Sequence, residues 1–212
     1  MNLEGRVAVV TGGGQGLGRE FAMGLAAAGA AVGVIGRAQT QLDEMLGRLE
    51  LMSARVLVSK ADITDNAAVR ASFKDIQTQL GPIDVLVNNA GVFKAFGNVS
   101  EVDPDEWWHE IEVNLKGQFL CAQAVLPGMI ERSSGRIINL ASVGGTETFP
   151  AISAYTTSKA ALIHLTRTIA AENEQTGVFA FAVHPGTVHT RMLDELTASD
   201  ALRERAEYLH TS

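Results

Sequence analysis

Six short apolar runs, separated by longer stretches of residues, constrain the fold of this chain more than any other feature. Runs of four to six such residues are typical of strands that are buried on both faces of a sheet. Parallel strands need right-handed crossover connections, so helices must cover both faces. The pattern therefore predicts an α/β fold, with a doubly wound parallel sheet inside a three-layer αβα sandwich. The predicted strands are Arg6–Thr11, Ala31–Ile35, Arg55–Val58, Ile83–Val87, Arg136–Leu140 and Val178–Val183.

The stretches between these runs carry helical patterns. Residues 69–80 place apolar side chains on one helical face, Thr64 is positioned to cap that helix, and Gly81-Pro82 is positioned to end it. The segment Thr197–Ser212 is predicted to form a short polar helix. In a doubly wound sheet, ligands bind beyond the carboxyl ends of the strands, and we expect the functional residues there.

Composition narrows the possible functions. With 212 residues, 46% of them hydrophobic, residues 1–212 are expected to form one domain. No apolar run is long enough to span a membrane, no signal peptide is visible, and the single cysteine, Cys121, excludes an intramolecular disulfide. A cytoplasmic location is predicted. The charge of −7 is spread along the chain without a basic run, and the five histidines lack the spacing of metal ligands, so neither nucleic acid nor a metal is expected.

A glycine-rich turn directly follows the first predicted strand. Its sequence is TGGGQGLG, in which Gly12, Gly16 and Gly18 give the spacing TGxxxGxG. Glycines let the backbone turn tightly and approach a phosphate, and the following helix presents free N–H groups and a positive dipole end. The strict GxGxxG spacing fails because Arg19 occupies its final position. The position between strand and helix still predicts a dinucleotide pyrophosphate site in a Rossmann-type sheet.

The end of the second predicted strand bears on which dinucleotide is bound. An NAD site normally has an acidic residue there, which accepts hydrogen bonds from the ribose hydroxyls. This chain has Gly36 followed by Arg37. A guanidinium binds a ribose phosphate with charge-assisted bonds, whereas a carboxylate repels it. NADP(H) is therefore the preferred cofactor and NAD(H) the alternative, which applies if Arg37 points into solvent.

A tyrosine and a lysine predict the chemistry. Tyr155 and Lys159 are spaced i and i+4, which makes them neighbours on one face of a helix. The phenol has a pKa of about 10, and the Lys159 ammonium, together with an oxidised nicotinamide, would favour the phenolate. Ser142 ends a predicted strand, so it belongs at the ligand edge of the sheet, where it can bind the substrate oxygen. Tyr155 would then exchange a proton with that oxygen as the nicotinamide exchanges hydride with its carbon.

Together these motifs resemble the short-chain dehydrogenase/reductase family, in its short form with TGxxxGxG and YxxxK. The similarity extends through Asn88–Gly91 and Pro185-Gly186, and covers the chain from Leu3 to about Met192. It implies catalytic roles for Asn114, Ser142, Tyr155 and Lys159, with Ser142 and Tyr155 also binding substrate and Asn114 organising a proton relay to the lysine. It implies that the cofactor is bound by Gly12, Gln15, Gly16, Leu17, Gly18, Arg37, Asp62, Ile63, Asn89, Ala90, Gly91, Tyr155, Lys159, Pro185, Gly186, Val188 and Thr190.

Several points stay open in the sequence. A carbonyl reductase or alcohol dehydrogenase is favoured, and the alternatives are a non-catalytic NADP(H) sensor or assembly module and an epimerase or dehydratase. Family members usually continue with another helix and a final strand, so the substrate enclosure and the expected homo-oligomer, dimer or tetramer, depend on parts that this sequence does not show. The expected substrate is a small-molecule carbonyl or alcohol. The loop Val143–Ile152 indicates only a mixed, partly apolar pocket, which leaves ketones, steroids, sugars and acyl thioesters open.

Overall fold

The computed structural model describes residues 2–186 and 188, and in this part strands and helices alternate. A π-helical segment, Glu112–Gly117, joins α4 to α5, and a short 3₁₀ turn, Val143–Gly145, follows β5. The strands are β1 (Val7–Thr11), β2 (Ala31–Gly36), β3 (Val56–Lys60), β4 (Val85–Asn88), β5 (Gly135–Leu140) and β6 (Val178–Val183). The helices are α1 (Gly16–Ala27), α2 (Gln39–Leu51), α3 (Asn66–Leu80), α4 (Pro104–Ile111), α5 (Gln118–Glu131) and α6 (Ser153–Glu172).

The six strands form one parallel sheet in the order β3-β2-β1-β4-β5-β6. The predicted doubly wound sheet is confirmed, and all six predicted strands are found with their ends shifted by no more than two residues. The chain runs outward from β1 to β3 and then returns to the other side of β1 with β4. This reversal between β1 and β4 is a topological switch point, where adjacent crossovers diverge and leave a crevice at the carboxyl edge.

Hydrophobic side chains pack against both faces of the sheet. Along β1, Val7 and Val9 belong to one buried cluster, while Ala8 and Val10 belong to the other, as the alternation of a strand requires. Helices α3 and α5 cover the first face and α1 and α2 the second. The largest fully buried side chains on these helices include Phe73, Ile76 and Met129 on the first face and Leu42, Met45 and Leu49 on the second.

The predicted boundaries of α3 are partly correct. Gly81 follows its last residue with φ +107, so it ends the helix as expected. The prediction that Thr64 caps the helix is wrong by one residue. Asp65 is the cap, because its Oδ1 accepts hydrogen bonds from the N–H groups of Ala67 (2.8 Å) and Ala68 (3.2 Å). The helix predicted over Thr197–Ser212 lies outside the described residues.

Two further expectations concern Cys121 and membrane spans. Cys121 is fully buried, and burial raises the pKa of its thiol to about 12, so it is an unreactive core residue. Across residues 2–186 and 188, the structure contains no helix that is both long and apolar enough to cross a membrane.

Candidate functional site

A cavity of about 800 Å³ opens at the carboxyl edge of the sheet, over the switch point. Its size is in the range of small-molecule and cofactor sites. Gly18 lies beneath the turn and does not line it, and Thr190 lies outside the described residues. The other predicted site residues all line it: Gly12, Gln15, Gly16, Leu17, Arg37, Asp62, Ile63, Asn89, Ala90, Gly91, Asn114, Ser142, Tyr155, Lys159, Pro185, Gly186 and Val188.

The glycine turn depends on the absence of side chains. Gly12 and Gly16 have φ values of +64 and +52, which L side chains rarely adopt. A Cβ on Gly12 would lie 2.8 Å from the Ala90 Cα, and a Cβ on Gly18 would overlap the Gly12 carbonyl and the Asn89 amide. Gln15 is the N-cap residue of α1 and makes no side-chain hydrogen bond to the first N–H groups of the helix, so no cap occupies these donors. The turn therefore fits a pyrophosphate.

Thr11 and Asn89 join the glycine turn to the loop after β4. Thr11 Oγ1 accepts hydrogen bonds from the N–H groups of Asn89 and Ala90, both at 3.1 Å. Asn89 Nδ2 in turn donates to the carbonyls of Thr11 (3.0 Å) and Gly12 (3.3 Å). Thr11 was not among the predicted site residues. A hydroxyl at the end of an otherwise apolar strand is the signal that could have found it.

Charged and polar side chains occupy one rim of the cavity. Arg37 Nη1 lies 3.6 Å from Asp62 Oδ2, and their side chains are 56% and 39% exposed. Partial burial alone would raise the pKa of Asp62, but hydrogen bonds from Thr64 and the Arg37 charge lower it. Gln41 Nε2 donates to Gln15 Oε1 at 2.8 Å beside them. Arg37 thus points along the rim rather than away from it.

The π-helical segment places Asn114 at the other end of the cavity. Its side chain is fully buried and exchanges two hydrogen bonds of 2.8 Å with the backbone of Val92, while Nδ2 also lies 3.3 Å from Ser158 Oγ. Asn114 thereby ties the loop after β4 to α6. Nothing in the sequence indicated this π-helical turn, a feature that is frequent at functional sites. Its role in a proton relay stays a prediction.

Ser142, Tyr155 and Lys159 come together at this same end. Ser142 follows β5, and its Oγ accepts a hydrogen bond of 3.1 Å from the Gly144 N–H. Lys159 lies one helical turn after Tyr155 on α6, with Nζ 5.6 Å from the centre of the phenol ring. Nζ donates to the Leu140 carbonyl at 2.7 Å, which holds the lysine against the end of β5. The three chemically active groups thus share one wall.

Burial dominates the protonation of this pair. It raises the pKa of Tyr155, the neighbouring Ser142 hydroxyl partly offsets this, and the charge of Glu110 raises the pKa further. Burial lowers the pKa of Lys159 to about 8, and Glu110 opposes that change. For the protein groups alone, the pKa of Tyr155 is therefore raised, chiefly by burial. The expectation that the Lys159 ammonium and an oxidised nicotinamide together favour the phenolate stays a prediction.

One residue of this wall, Phe93, and one buried beside it, Glu110, were not predicted from the sequence. The Phe93 ring packs on that of Tyr155, with 4.5 Å between centroids. Glu110 of α4 is 1% exposed and its carboxylate accepts backbone hydrogen bonds from the loop after β4. An acid four residues before Asn114, and hence on the same helical face, was the available signal for Glu110. Phe149 and Ile152, from the loop predicted to contact substrate, also line the cavity.

A doubly wound sheet with a glycine turn at its switch point, and with serine, tyrosine and lysine on one wall of the crevice, defines a dinucleotide-binding oxidoreductase domain. The sequence profile of the short chain dehydrogenase family matches residues 6–201. The chain therefore belongs to the short-chain dehydrogenase/reductase family, whose members act on CH–OH groups.

Individual relatives agree with this assignment. A short chain dehydrogenase of Pseudocercospora fijiensis is 38% identical over 90% of this chain, which spans 62% of that protein's length. The 2-dehydro-3-deoxy-L-rhamnonate dehydrogenase (NAD(+)) of Sphingomonas sp. is 38% identical over 92% of this chain and 77% of its own. The structure of a gluconate 5-dehydrogenase from Burkholderia cenocepacia with NADP and tartrate superposes with a TM-score of 0.88, at 34% identity, over 95% of this chain and 78% of that one.

Proposed function

We propose that the chain is an NADP(H)-dependent oxidoreductase that interconverts a secondary alcohol and a ketone, with Tyr155 as the acid/base. The observation that carries this proposal is the convergence of Ser142, Tyr155 and Lys159 on the cavity wall, next to a glycine turn that fits a pyrophosphate. The groups that bind cofactor and those that move protons therefore share one enclosure, as hydride transfer coupled to proton transfer requires.

Each residue of the wall has a distinct role in this proposal. The bound nicotinamide supplies or accepts the hydride. The Ser142 hydroxyl binds and polarises the substrate oxygen, and Tyr155 donates its proton to that oxygen during reduction or removes it during oxidation. Lys159 uses one N–H on the Leu140 carbonyl, which leaves two donors for ribose hydroxyls. The raised pKa of Tyr155 keeps the phenol protonated near neutrality, the state that ketone reduction needs.

The preference for NADP(H) rests on the rim. Arg37 follows β2, where an acidic residue would otherwise receive the ribose hydroxyls, and α2 begins at Gln39 without a side-chain cap on its N–H groups. The ion pair between Arg37 and Asp62 is long and exposed, so a ribose phosphate can compete for the Arg37 guanidinium. Since one relative is named for NAD(+) and another structure contains NADP, NAD(H) use is the alternative.

We further propose a homo-oligomer in a cytoplasmic setting. Exposed aromatic side chains on the helices that lead to the site, Trp108 (59%) and Phe119 (42%), support a subunit contact through α4 and α5. Light scattering of the purified chain measures this directly: a dimer or tetramer is expected, and a monomer at micromolar concentration would contradict it.

Calorimetric titration and a turnover assay test the proposed function. The purified chain should bind NADPH more tightly than NADH, and bound NADPH should be oxidised in the presence of some members of a ketone panel. The variant Ser142→Ala should retain binding and lose most turnover, because only the polarising hydroxyl is removed. Binding without turnover on any ketone or secondary alcohol would instead support a sensor.

A further inference from the structure

One face of the helix formed by α4 and the π-helical segment is attached to α6 at two points. Trp107 Nε1 donates to Ser153 Oγ at 3.0 Å, and Asn114 Nδ2 lies 3.3 Å from Ser158 Oγ. Tyr155 is located between the two serines along α6. Glu110 is located between the two anchors along α4, on the same face. The two helices therefore bring a buried carboxylate opposite the turn that carries the phenol.

The carboxylate of Glu110 is only half used. Oε2 accepts hydrogen bonds from the backbone N–H groups of Lys94 (2.7 Å) and Ala95 (2.9 Å). Oε1 is fully buried and has no hydrogen-bond partner within the described part of the chain. An uncompensated buried carboxylate oxygen is costly, so it is seldom kept without a function.

The loop segment held by Glu110 bears directly on the reacting group. Phe93 immediately precedes the two N–H groups that Glu110 binds, and its ring packs on the Tyr155 ring at 4.5 Å. The Phe93 ring also packs on that of Phe96, with 4.9 Å between centroids, and Phe96 directly follows Ala95 in the chain. Loss of the two hydrogen bonds would let the Phe93 and Phe96 rings move, and Tyr155 would lose the ring that packs against it.

The charge of Glu110 acts on the same pair. It raises the pKa of both Tyr155 and Lys159. Burial raises the pKa of Glu110 itself, while the bonds from Ala95 and Lys94 and the charges of Lys159 and His109 lower it. Lys159 of α6 and His109 of α4 are thus the charged groups whose charges act on the pKa of Glu110.

We propose that Glu110 is a positioning residue for the reaction at Tyr155: its carboxylate fixes the loop segment that carries Phe93, and its negative charge acts on the Tyr155–Lys159 pair. This inference rests on the proposed function of Tyr155. The role has two components. The clamp is the pair of hydrogen bonds from Lys94 and Ala95 to the Glu110 carboxylate, and the charge is the negative charge of that carboxylate. Two substitutions separate them. Glu110→Gln keeps an oxygen for both backbone N–H groups and removes the charge, whereas Glu110→Leu removes both.

The charge is tested first in the full chain without cofactor or substrate. The chain contains two tyrosines, Tyr155 and Tyr208, so ¹³Cζ-tyrosine labelling gives two resonances, and Tyr155→Phe assigns them. Removing a nearby negative charge favours phenolate, so Tyr155 in Glu110→Gln should ionise at lower pH than in the wild type. Glu112→Gln removes the same charge from a half-exposed neighbour that pairs with Lys116, and it should leave the Tyr155 titration unchanged.

The clamp is tested by turnover. Glu110→Leu should lower kcat by about tenfold or more, because two buried N–H groups lose their acceptor and Phe93 leaves its position. Glu110→Gln keeps the clamp, so it should retain most of the wild-type kcat. The rate of alcohol oxidation increases with pH, and in this variant the increase should occur at lower pH than in the wild type. The Tyr155 titration does not require an active enzyme, so it separates failure of this inference from failure of the proposed function. Superimposable titrations of the wild type and Glu110→Gln, or a folded Glu110→Leu with wild-type kcat, would overturn the inference.

Discussion

The two ends of the cavity treat charge in opposite ways. At the rim, Arg37 and Asp62 are 56% and 39% exposed and 3.6 Å apart. At the inner end, Lys159 of the wall and Glu110 behind it are 5% and 1% exposed. Water and salt screen the rim charges, which stay accessible to a charged ligand. The buried charges are poorly screened: Glu110 and Lys159 each change the pKa of the other, and Glu110 also raises the pKa of Tyr155. In the proposed function, cofactor selectivity and proton transfer therefore belong to opposite ends of the cavity.

The largest effect is expected at the inner wall from Tyr155→Phe. The substitution removes the proton donor and keeps the ring that packs on Phe93, so kcat should fall by on the order of a thousandfold. NADPH affinity, measured by calorimetry, should change by no more than a few-fold. If kcat were preserved, the catalytic assignment of Tyr155 would fail.

Lys159→Met separates activity from stability at the same wall. A lysine whose pKa falls from 10.5 to about 8 on folding destabilises the folded chain below pH 8, and this cost disappears above pH 10.5. The variant should lose turnover because the lysine is absent. At pH 7 its free energy of unfolding, measured by urea denaturation, should nevertheless exceed that of the wild type by on the order of 1–3 kcal/mol.

That gain should shrink as the pH rises from 8 to 10.5. Lys116→Met, which alters a lysine with a 50% exposed side chain, is the matched control and should show no such pH dependence. A stability difference between Lys159→Met and the wild type that stayed constant between pH 7 and 10.5 would contradict the account of a desolvated ammonium.

Arg37→Asp examines the rim. Loss of the charge-assisted bonds, and repulsion of the ribose phosphate, should weaken NADPH binding by roughly tenfold to a hundredfold and improve NADH binding. The wild-type preference should also decrease with added salt, because the rim is exposed. Arg48→Asp introduces the same charge change at an exposed position on α2, away from the cavity. Equal NADPH affinities in the two variants would mean that Arg37 does not read the phosphate.

The smallest effect is expected where α4 is anchored to α6. Trp107→Phe removes the bond of 3.0 Å to Ser153 and should cost about 1 kcal/mol of unfolding free energy. Trp108→Phe, at a 59% exposed position, should cost much less. Chemical denaturation of both variants measures the difference, and equal stabilities would show that the indole hydrogen bond does not hold the two helices.

The same contrast explains what the sequence could predict. Local patterns located the six strands, the glycine turn and the Tyr155–Lys159 spacing, because each depends on neighbours within one or two helical turns. Glu110 was not predicted because its role depends on burial against α6 and on hydrogen bonds to the loop after β4, and neither element is next to it in the sequence. The capping residue of α3 was misplaced since Thr64 and Asp65 are both good caps, and only the backbone conformation selects Asp65. The Tyr155 pKa is raised mainly because the residue is buried, and the spacing of residues in the sequence does not reveal burial.

Transfer of an isotopic label from the cofactor to a ketone is the direct test of hydride transfer by this chain. The wild-type chain is incubated with a panel of prochiral ketones and NADPH that carries deuterium at C4 of the nicotinamide, and the products are examined by mass spectrometry. A working reductase should give an alcohol with deuterium on the carbinol carbon, formed by the wild type and largely lost in Tyr155→Phe. Tight binding of NADPH without label transfer to any ketone would contradict hydride transfer by this chain.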